Sequence, residues 1–345
     1  MLKDVLRWVG SPAQLYGIED YRLAEGKAQG TRCMRMYNAT GLSLTVLPDR
    51  GMDIANLSIK GENLSFLSCT GVVNSSYFTE DGARGFFRNF FAGFLTTGGL
   101  TYMGAACEEQ GEVLGLHGVV SNIPAQQVAS CACEQNLQVS GLVRQARVFG
   151  ENLVLRRCVN MRPNGNEFSI SDEIENQGFR ATPFMLLYHM NFGYPLVCPD
   201  TILHLPTHKI QPRDVQAQNG LEHYLAIEPP KDNRPEQVFF HTMKPDEDDQ
   251  VHFAVENPAR KIAVVVSYPY AQLPYFTQWK SMASGEYALG LEPGNCHVMG
   301  RVKAREEKCL QMLAPGETVR LKLRIRVLYG QESEDLKEQG LLSKG

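Results

Sequence analysis

Three short segments of this 345-residue sequence carry a titratable side chain in a setting that favours chemistry. In the first, GLHGVVSN, His117 lies close to Gly115 and Gly118. Small neighbours let a ligand approach the backbone and leave an imidazole accessible in a cleft. The alternative for this segment is a loop histidine that only hydrogen-bonds a backbone carbonyl.

The other two segments place their titratable group at the end of an apolar run. His189 lies in MLLYHMNFGYPL, where burial is costly unless the imidazole is hydrogen-bonded. Glu292 lies in YALGLEPGNC, and carboxylates are rarely buried unless they are paired or used. A hydrogen-bonded core histidine and a surface glutamate in a turn are the alternatives. Two imidazoles and one carboxylate are groups that acid–base catalysis uses.

Two arginines are candidates for binding the hydroxyl groups of a ligand. Arg88 lies among aromatic residues in RGFFRNFFAGF, and a buried guanidinium needs hydrogen-bond acceptors such as hydroxyl oxygens. Arg50 lies in LPDRGMDI, which is expected to form a turn with a salt bridge to Asp49 or Asp53. From such a turn Arg50 could also reach a ligand.

The sequence offers no site for a metal or an organic cofactor, and none is expected. His204 and His208 are four residues apart, but Pro206 between them excludes a helix that would put both on one face. The nine cysteines include no CxxC pair. Neither GxGxxG nor GxxxxGK[ST] occurs, so nucleotide binding has no support.

Short apolar or alternating runs, separated by Gly, Pro, Asn and Asp, dominate the chain from Cys33 onward. In VRLKLRIRVLYG, apolar and basic residues alternate from Val319 to Val327, which predicts a half-buried strand. Turn signals recur every ~8–12 residues, a spacing typical of an all-β sandwich or barrel. Helices are predicted only for residues 11–25 and 332–342, and a long surface loop for residues 228–249.

Composition limits the classes of protein and of partner. A hydrophobic fraction of 43% and a charged fraction of 21%, with net charge −4, exclude disorder and argue against nucleic acid as a partner. No run of ~18 apolar residues occurs, so no membrane association is expected. The odd number of cysteines and the lack of a signal peptide predict free thiols and a cytoplasmic protein. One domain is expected over residues 1–345, with a core at about 15–330.

The three segments, in this order, resemble the aldose 1-epimerase (galactose mutarotase-like) family. LHGVVSN, with His117, is similar to the family's first histidine motif, and YHMNFGYPL, with His189, to its second. GLEPGNC, with Glu292, is similar to the motif of the family's late glutamate. LPDRGMDIANLSIKG and FFRNFFAGFLTTGGLTYMG resemble more narrowly a bacterial subgroup of mutarotase-like proteins.

The resemblance implies a β-supersandwich with its site on the concave face of a large antiparallel sheet. It implies a carbohydrate isomerase that interconverts the α and β anomers of a hexose-type sugar by opening and reclosing the ring. Glu292 would be the base, His189 the acid, and His117 a hydrogen-bond donor to the oxygen where charge develops. The residues expected to contact the sugar are Arg88, Arg50, Asn191 and Trp279.

Two other functions are compatible with these residues. A non-catalytic carbohydrate-binding protein on the same scaffold would not need Glu292 as a base. A sugar lyase or hydrolase would need a second carboxylate beside the scissile bond, and Asp172 and Glu173 are expected to face solvent. No cluster of lysine and arginine accompanies the motifs, which favours an unphosphorylated sugar. Whether two copies form a homodimer stays open.

Overall fold

A computed structural model describes residues 2–334, whose strands form two large antiparallel sheets. In chain order, the first twelve strands are β1 (Gly17–Arg22), β2 (Arg32–Tyr37), β3 (Leu42–Leu47), β4 (Asp53–Ile59), β5 (Glu62–Asn63), β6 (Phe66–Leu67), β7 (Ala92–Gly93), β8 (Leu95–Leu100), β9 (Cys107–Glu109), β10 (Glu112–Leu114), β11 (Gln126–Ala132) and β12 (Leu137–Ala146). The next twelve are β13 (Asn152–Met161), β14 (Glu167–Asn176), β15 (Thr182–Phe192), β16 (Ile202–His204), β17 (Thr207–Pro212), β18 (Gln237–Met243), β19 (Gln250–Asn257), β20 (Ile262–Pro269), β21 (Tyr275–Ala283), β22 (Glu286–Gly294), β23 (Gln311–Leu313) and β24 (Thr318–Tyr329).

The helices of the described residues are short. The α-helices are α1 (Leu2–Val5), α2 (Gly82–Phe87), α3 (Val215–Gln218), α4 (Arg301–Glu306) and α5 (Gln331–Glu334). Single 3-10 turns cover Leu6–Trp8, Pro12–Gln14, Gly26–Ala28, Ser75–Tyr77, Val120–Asn122 and Leu221–His223. The all-β class predicted from the sequence is confirmed.

The first sheet has the strand order β1-β2-β3-β4-β8-β15-β22-β21-β18-β17, with β5 beside β4 and β23 beside β15. The second sheet has the order β11-β12-β13-β14-β24-β20-β19-β16. Two short pairs, β6 with β7 and β9 with β10, lie outside both sheets. The centre of the first sheet, at β15 and β22, is therefore assembled from segments about 100 residues apart in the chain.

The main core lies between the two sheets and follows the period-two alternation of the strands. In β24, Leu323 and Ile325 are fully buried, whereas Lys322 and Arg324 are exposed, which confirms the predicted half-buried strand. In β15, Tyr188 and Met190 belong to this core. His189, between them, therefore points to the opposite face of the first sheet.

A buried network of charges crosses the core. Arg157 donates to both oxygens of Asp172, at 2.9 and 2.6 Å, and to Asp53 Oδ1 at 3.1 Å. The Tyr188 hydroxyl donates to Asp172 Oδ2 at 2.7 Å. Burial raises the pKa of Asp53, and the charge of Arg157 opposes that rise. The network connects β15 of the first sheet to β13 and β14 of the second.

The position of Asp172 corrects the expectation that it faces solvent. Asp172 is 2% exposed, because it lies on the same face of β14 as the core residues Ile170 and Ile174. Glu173, one position further, lies on the outer face and pairs with Arg320, as expected.

Two local predictions are also wrong in part, and a third is tested only at its start. Residues 11–25 form one 3-10 turn at Pro12–Gln14 and then β1, because GIEDYR pairs in antiparallel register with β2. The predicted loop 228–249 contains β18, because QVFFHTM finds an apolar partner strand in β21. Of the predicted C-terminal helix, α5 covers its start, and residues beyond 334 lie outside the described part.

Each of the nine cysteines is a free thiol. Among residues 2–334, no helix has the length and apolar character needed to cross a bilayer.

Candidate functional site

A cavity of about 440 Å³ on the outer face of the first sheet contains His117, His189 and Glu292. His189 comes from β15 and Glu292 from β22, which are neighbouring strands at the centre of the sheet. Met190 pairs with Leu291, so the same register places His189 opposite Glu292. Strand pairing thus joins two segments that the sequence separates by about 100 residues.

His189 and Glu292 are in direct contact inside this cavity. His189 Nε2 lies 3.1 Å from Glu292 Oε1, and the two residues are 7% and 1% exposed. Thr277, on β21, pairs with Glu292 from the other side. The two atoms are close, but their angles are not those of a hydrogen bond, so a proton can pass between them only after one side chain reorients.

His117 reaches the cavity from the loop between β10 and the turn Val120–Asn122. Its backbone is fixed, because its N–H donates to Gly104 O at 2.9 Å and its carbonyl accepts from Gly99 N at 3.1 Å. Gly118 has φ +76°, and a Cβ there would clash with the carbonyl oxygen of Gly99. A glycine is therefore required after His117, which explains why the sequence has Gly118 there.

Aromatic rings surround the two imidazoles. The Phe86 ring centroid lies 4.8 Å from that of His117, and the His117 and His189 centroids are 6.0 Å apart. The rings of Phe90 and Trp279 contact His189, with centroids at 5.2 and 5.5 Å. These rings exclude water from the imidazoles and offer apolar faces to a ligand.

Gly290 makes room for this arrangement. It lies beside Trp279 in the register of β21 and β22. A Cβ at this position would be 2.5 Å from Glu292 Oε1 and 3.1 Å from Trp279 Cβ. The missing side chain therefore lets the carboxylate and the indole occupy one surface.

Three charged residues form another wall of the cavity, and sequence reasoning missed all of them. Arg213 donates from Nε to Asp214 Oδ2 at 2.9 Å and from Nη2 to Glu236 Oε1 at 2.8 Å. Trp279 Nε1 donates to the other oxygen of Glu236 at 2.7 Å. Arg213 follows β17 and Glu236 precedes β18, so only the pairing of these strands brings them together. No local sequence signal distinguishes them from ordinary surface charges.

Burial shifts the pKa values of Glu292 and His189 in opposite directions. Burial raises the pKa of Glu292 well above its usual value; the charge of Glu236 adds to the rise, and that of Arg213 opposes it. Burial lowers the pKa of His189 to about 4, and a hydrogen bond with Asn191 partly opposes this shift. Near neutral pH, the imidazole is therefore uncharged and the carboxyl group holds its proton unusually strongly.

His117 is uncharged over the same range. Burial and the proximity of His189 lower the pKa of His117 to about 3. Several buried polar atoms of the cavity have no hydrogen-bond partner among residues 2–334: His117 Nδ1, His189 Nδ1, Thr277 Oγ1 and Glu292 Oε1. Unsatisfied buried polar atoms are rare in folded proteins, and their concentration here is typical of a site for a polar ligand.

Of the four residues predicted to contact a sugar, one lines the cavity. Trp279 lines the cavity. Asn191 is fully buried two residues after His189, and its Nδ2 donates to the His189 carbonyl at 2.9 Å. Asn191 therefore supports His189 from behind and does not line the cavity.

The two predicted arginines lie elsewhere, which corrects their assignment as sugar-contacting residues. Arg50 is 1% exposed and donates to three backbone carbonyls, so its guanidinium holds loops together. The side chain of Arg88 is 62% exposed, and its nearest acidic partner is Asp81, at 3.9 Å. Neither lines the cavity. Arg213 is the guanidinium that does.

The described residues contain no group of three or more His, Cys, Asp or Glu side chains placed to hold a metal ion.

Several solved structures resemble this one. A candidate aldose 1-epimerase from Klebsiella pneumoniae superposes with a TM-score of 0.89 and 25% identity, over 94% of this chain and 87% of that one. A galactose mutarotase-like protein from Clostridium acetobutylicum gives 0.65 and 13%, over 92% and 100%. A galactose 1-epimerase from Lactobacillus acidophilus gives 0.60 and 12%, over 91% and 99%. The fold is that of the galactose mutarotase-like proteins, as predicted.

Sequence comparison is less informative about activity. No curated protein sequence matches the chain. The model of the family described as "Domain of unknown function (DUF4432)" matches residues 28–327. This match spans most of the chain and includes His117, His189 and Glu292. The chain therefore belongs to the DUF4432 family, built on the galactose mutarotase-like fold.

Proposed function

We propose that this protein is an aldose 1-epimerase-like isomerase, which opens and recloses the ring of a neutral sugar and so interconverts its anomers. The observation that carries this proposal is the 3.1 Å contact between His189 Nε2 and Glu292 Oε1 in a buried cavity. The names of the similar structures from Klebsiella pneumoniae and Lactobacillus acidophilus support it.

Opening a cyclic hemiacetal requires two proton transfers. A base takes the proton of the anomeric hydroxyl, the bond between the anomeric carbon and the ring oxygen breaks, and an acid protonates that oxygen. The carbonyl group then rotates, and reclosure uses the same two groups in reversed roles. We assign Glu292 as the base and His189 as the acid of the opening step. His117 lies close enough to His189 to hydrogen-bond the oxygen on which charge develops.

One proton shared by the pair is enough for this cycle. Opening moves it from His189 to the sugar while Glu292 gains another from the sugar, so the proton count of the pair is unchanged. The pKa directions favour the proton on Glu292 in the free protein. The proton crosses the 3.1 Å between Glu292 Oε1 and His189 Nε2 once a small reorientation aligns them as a hydrogen bond, before the next ring opens.

The rest of the cavity suits an uncharged sugar. The indole of Trp279 offers an apolar face to the C–H groups of a pyranose ring. Arg213 can donate to hydroxyl groups, and Asp214 and Glu236 can accept from them. These two carboxylates outnumber the one guanidinium, so the wall disfavours a phosphorylated or acidic sugar.

The cavity also supplies a carboxylate that a hydrolase would use. Glu236 lines the same cavity as Glu292, although its two oxygens accept from Arg213 and Trp279. Most glycoside hydrolases catalyse their reaction with a pair of carboxyl groups that flank the scissile bond. The test of function therefore has to follow released sugar as well as anomer exchange.

The experiment is NMR exchange spectroscopy of α and β anomers over a panel of neutral hexoses, with glycosides of the same sugars run in parallel. Wild-type protein should accelerate exchange of at least one hexose. Glu292→Gln keeps the shape but cannot accept the proton, so exchange should fall ~10²–10⁴-fold with little change in affinity.

Glu256→Gln is the matched control, because Glu256 contacts His204 Nε2 at 2.6 Å in the second sheet, away from the cavity. It should leave the rate unchanged. Tight sugar binding without accelerated exchange would identify a binding protein, and release of sugar from glycosides would identify a hydrolase.

A further inference from the structure

A second cavity, of about 740 Å³, is larger than the one that holds His189 and Glu292. Its walls come from β1 to β4, from the chain around Phe66, and from Tyr194 and Tyr287. None of its lining residues belongs to the first cavity or takes part in the proposed proton transfers.

Both cavities lie on the same face of the first sheet. Thr45, which lines the second cavity, lies in β3 between the core residues Leu44 and Val46. His189, which lines the first, lies in β15 between the core residues Tyr188 and Met190. Since side chains alternate along a strand, Thr45 and His189 both point away from the second sheet.

One chain segment separates the two cavities. Phe90 lines the first, whereas Phe91 packs against Cys33 and Leu47, which line the second. The strand β4 is two steps from β15 in the sheet order, so the cavities are about 10 Å apart at these strands.

The second cavity is aromatic and polar but uncharged. Three tyrosines, Tyr21, Tyr194 and Tyr287, line it together with the amides Asn56 and Asn63. None of the lining residues, all of which lie in the described part of the chain, carries a formal charge. An ionic ligand would lose its hydration here without gaining a counter-charge, so the surface suits a neutral one.

Several of these groups are held in place. Asn63 Nδ2 donates to Ser65 O at 2.7 Å and to Tyr194 O at 2.8 Å. The Tyr287 hydroxyl donates to Glu228 O at 2.7 Å. Tyr194 is nevertheless 65% exposed and Tyr21 40% exposed. Exposed rings around a hollow are typical of a binding surface.

We propose that the second cavity is a binding site for a neutral saccharide. A pyranose has an apolar C–H face, which stacks on an aromatic ring, and a rim of hydroxyl groups, which bond to amides and phenols. The tyrosine rings supply the first kind of contact, and the Asn56 amide and the Tyr194 hydroxyl supply the second, on a surface without charge. The site is distinct from the cavity of His189 and Glu292 and does not depend on the chemistry there.

The distribution of aromatic residues allows the two cavities to be observed separately. The chain has two tryptophans, of which Trp279 lines the first cavity and Trp8 lines neither. The first cavity is lined by no tyrosine, and the second by no tryptophan, among the described residues. Fluorine-19 NMR of protein labelled with fluorotryptophan or with fluorotyrosine therefore reports on one cavity at a time.

The probes are D-glucose, D-galactose, maltotriose and cellotriose, titrated into each labelled protein. At least one should shift the Tyr21 and Tyr194 signals saturably, with assignments from single Tyr→Phe variants. Tyr194→Ala should weaken this binding about fivefold or more, through loss of one stacking face. Tyr77→Ala is the matched control, because Tyr77 is 55% exposed and lines neither cavity.

Each outcome supports or overturns the second site, the proposed function, or both. A response of Trp279 alone would overturn the second site and leave the proposed function standing. A tyrosine response without any response of Trp279 or anomer exchange would support the second site and remove the proposed function. Tyrosine signals that move with protein concentration and not with sugar would assign the surface to contact between two copies, and would overturn the proposal. Silence of both labels would overturn both.

Discussion

His189 Nε2 lies 3.1 Å from Glu292 Oε1, where the two central strands of the first sheet pair. Burial shifts the pKa values of the two groups in opposite directions, so the pair keeps one proton over a wide range of pH. The proposed ring opening and reclosure need a donor and an acceptor that exchange roles, and in that proposal one shared proton would provide both.

The pair predicts a broad pH plateau for anomer exchange. Below the pKa of His189, about 4, the pair gains a second proton and loses its base. As the pH rises through the raised pKa of Glu292, the pair loses its only proton and with it the acid. NMR exchange rates measured from pH 3 to 10 should therefore stay high well above pH 4.5. A rate that falls as the pH rises through the ordinary carboxyl pKa of ~4.3 would contradict the shared-proton description.

Gly290→Ala should slow exchange without removing any reacting group. The new Cβ would lie 2.5 Å from Glu292 Oε1, so the carboxylate has to move. Misplacement by about 1 Å can cost ~10²-fold in rate, and overpacking costs ~1–3 kcal/mol of stability. Exchange rates and urea unfolding check both effects. Gly10→Ala, whose Cβ would contact nothing, is the control. A Gly290→Ala variant of full activity would show that the carboxylate position is not critical.

Arg213→Ala should weaken sugar binding and leave the chemical step almost unchanged. Arg213 lies on the cavity wall and would contact hydroxyl groups that do not react. Loss of hydrogen bonds to a charged group costs ~1.5–3 kcal/mol, so KM should rise about tenfold or more with kcat nearly constant. Arg88→Ala should change neither constant, because Arg88 lies outside the cavity. The reverse result would restore Arg88 as the sugar-binding residue.

Asp172→Asn should destabilise the fold. It breaks a buried pair with Arg157 and weakens the bond from Tyr188, and breaking a buried pair costs ~3–5 kcal/mol. Glu173→Gln is the matched control on the same strand, where a surface pair with Arg320 is worth about 1 kcal/mol or less. Urea unfolding at pH 7 measures both. Equal losses in the two variants would mean that the buried network adds no stability.

The features best predicted from the sequence are those that depend on residues close together in the chain. The alternation in β24 predicted its buried and exposed sides, and His117 was recognisable because Gly118 must follow it. The alternation along β14 also places Asp172 on the buried face with Ile170 and Ile174, although the strand was expected to present this carboxylate to solvent. Its partner, Arg157, lies on another strand, so local pattern could not show that the charge is compensated.

The arginine that lines the cavity illustrates what the sequence could not show. Arg88 is a candidate for sugar binding in the sequence because aromatic residues surround it in the chain, yet its side chain is exposed and does not line the cavity. Arg213 and Glu236 are 23 residues apart and meet only after β17 pairs with β18. Long-range strand register decides which guanidinium faces the site, and a single sequence does not reveal that register.

The wall of Arg213, Asp214 and Glu236 has a consequence for how this protein could change its preference among sugars. These residues flank strands near the edge of the first sheet, whereas His189 and Glu292 occupy its centre and share their strands with the core. Substitutions in the wall can therefore be introduced by laboratory selection while His189 and Glu292 keep their positions. A library confined to positions 213, 214 and 236 is the economical route to new specificity on this scaffold.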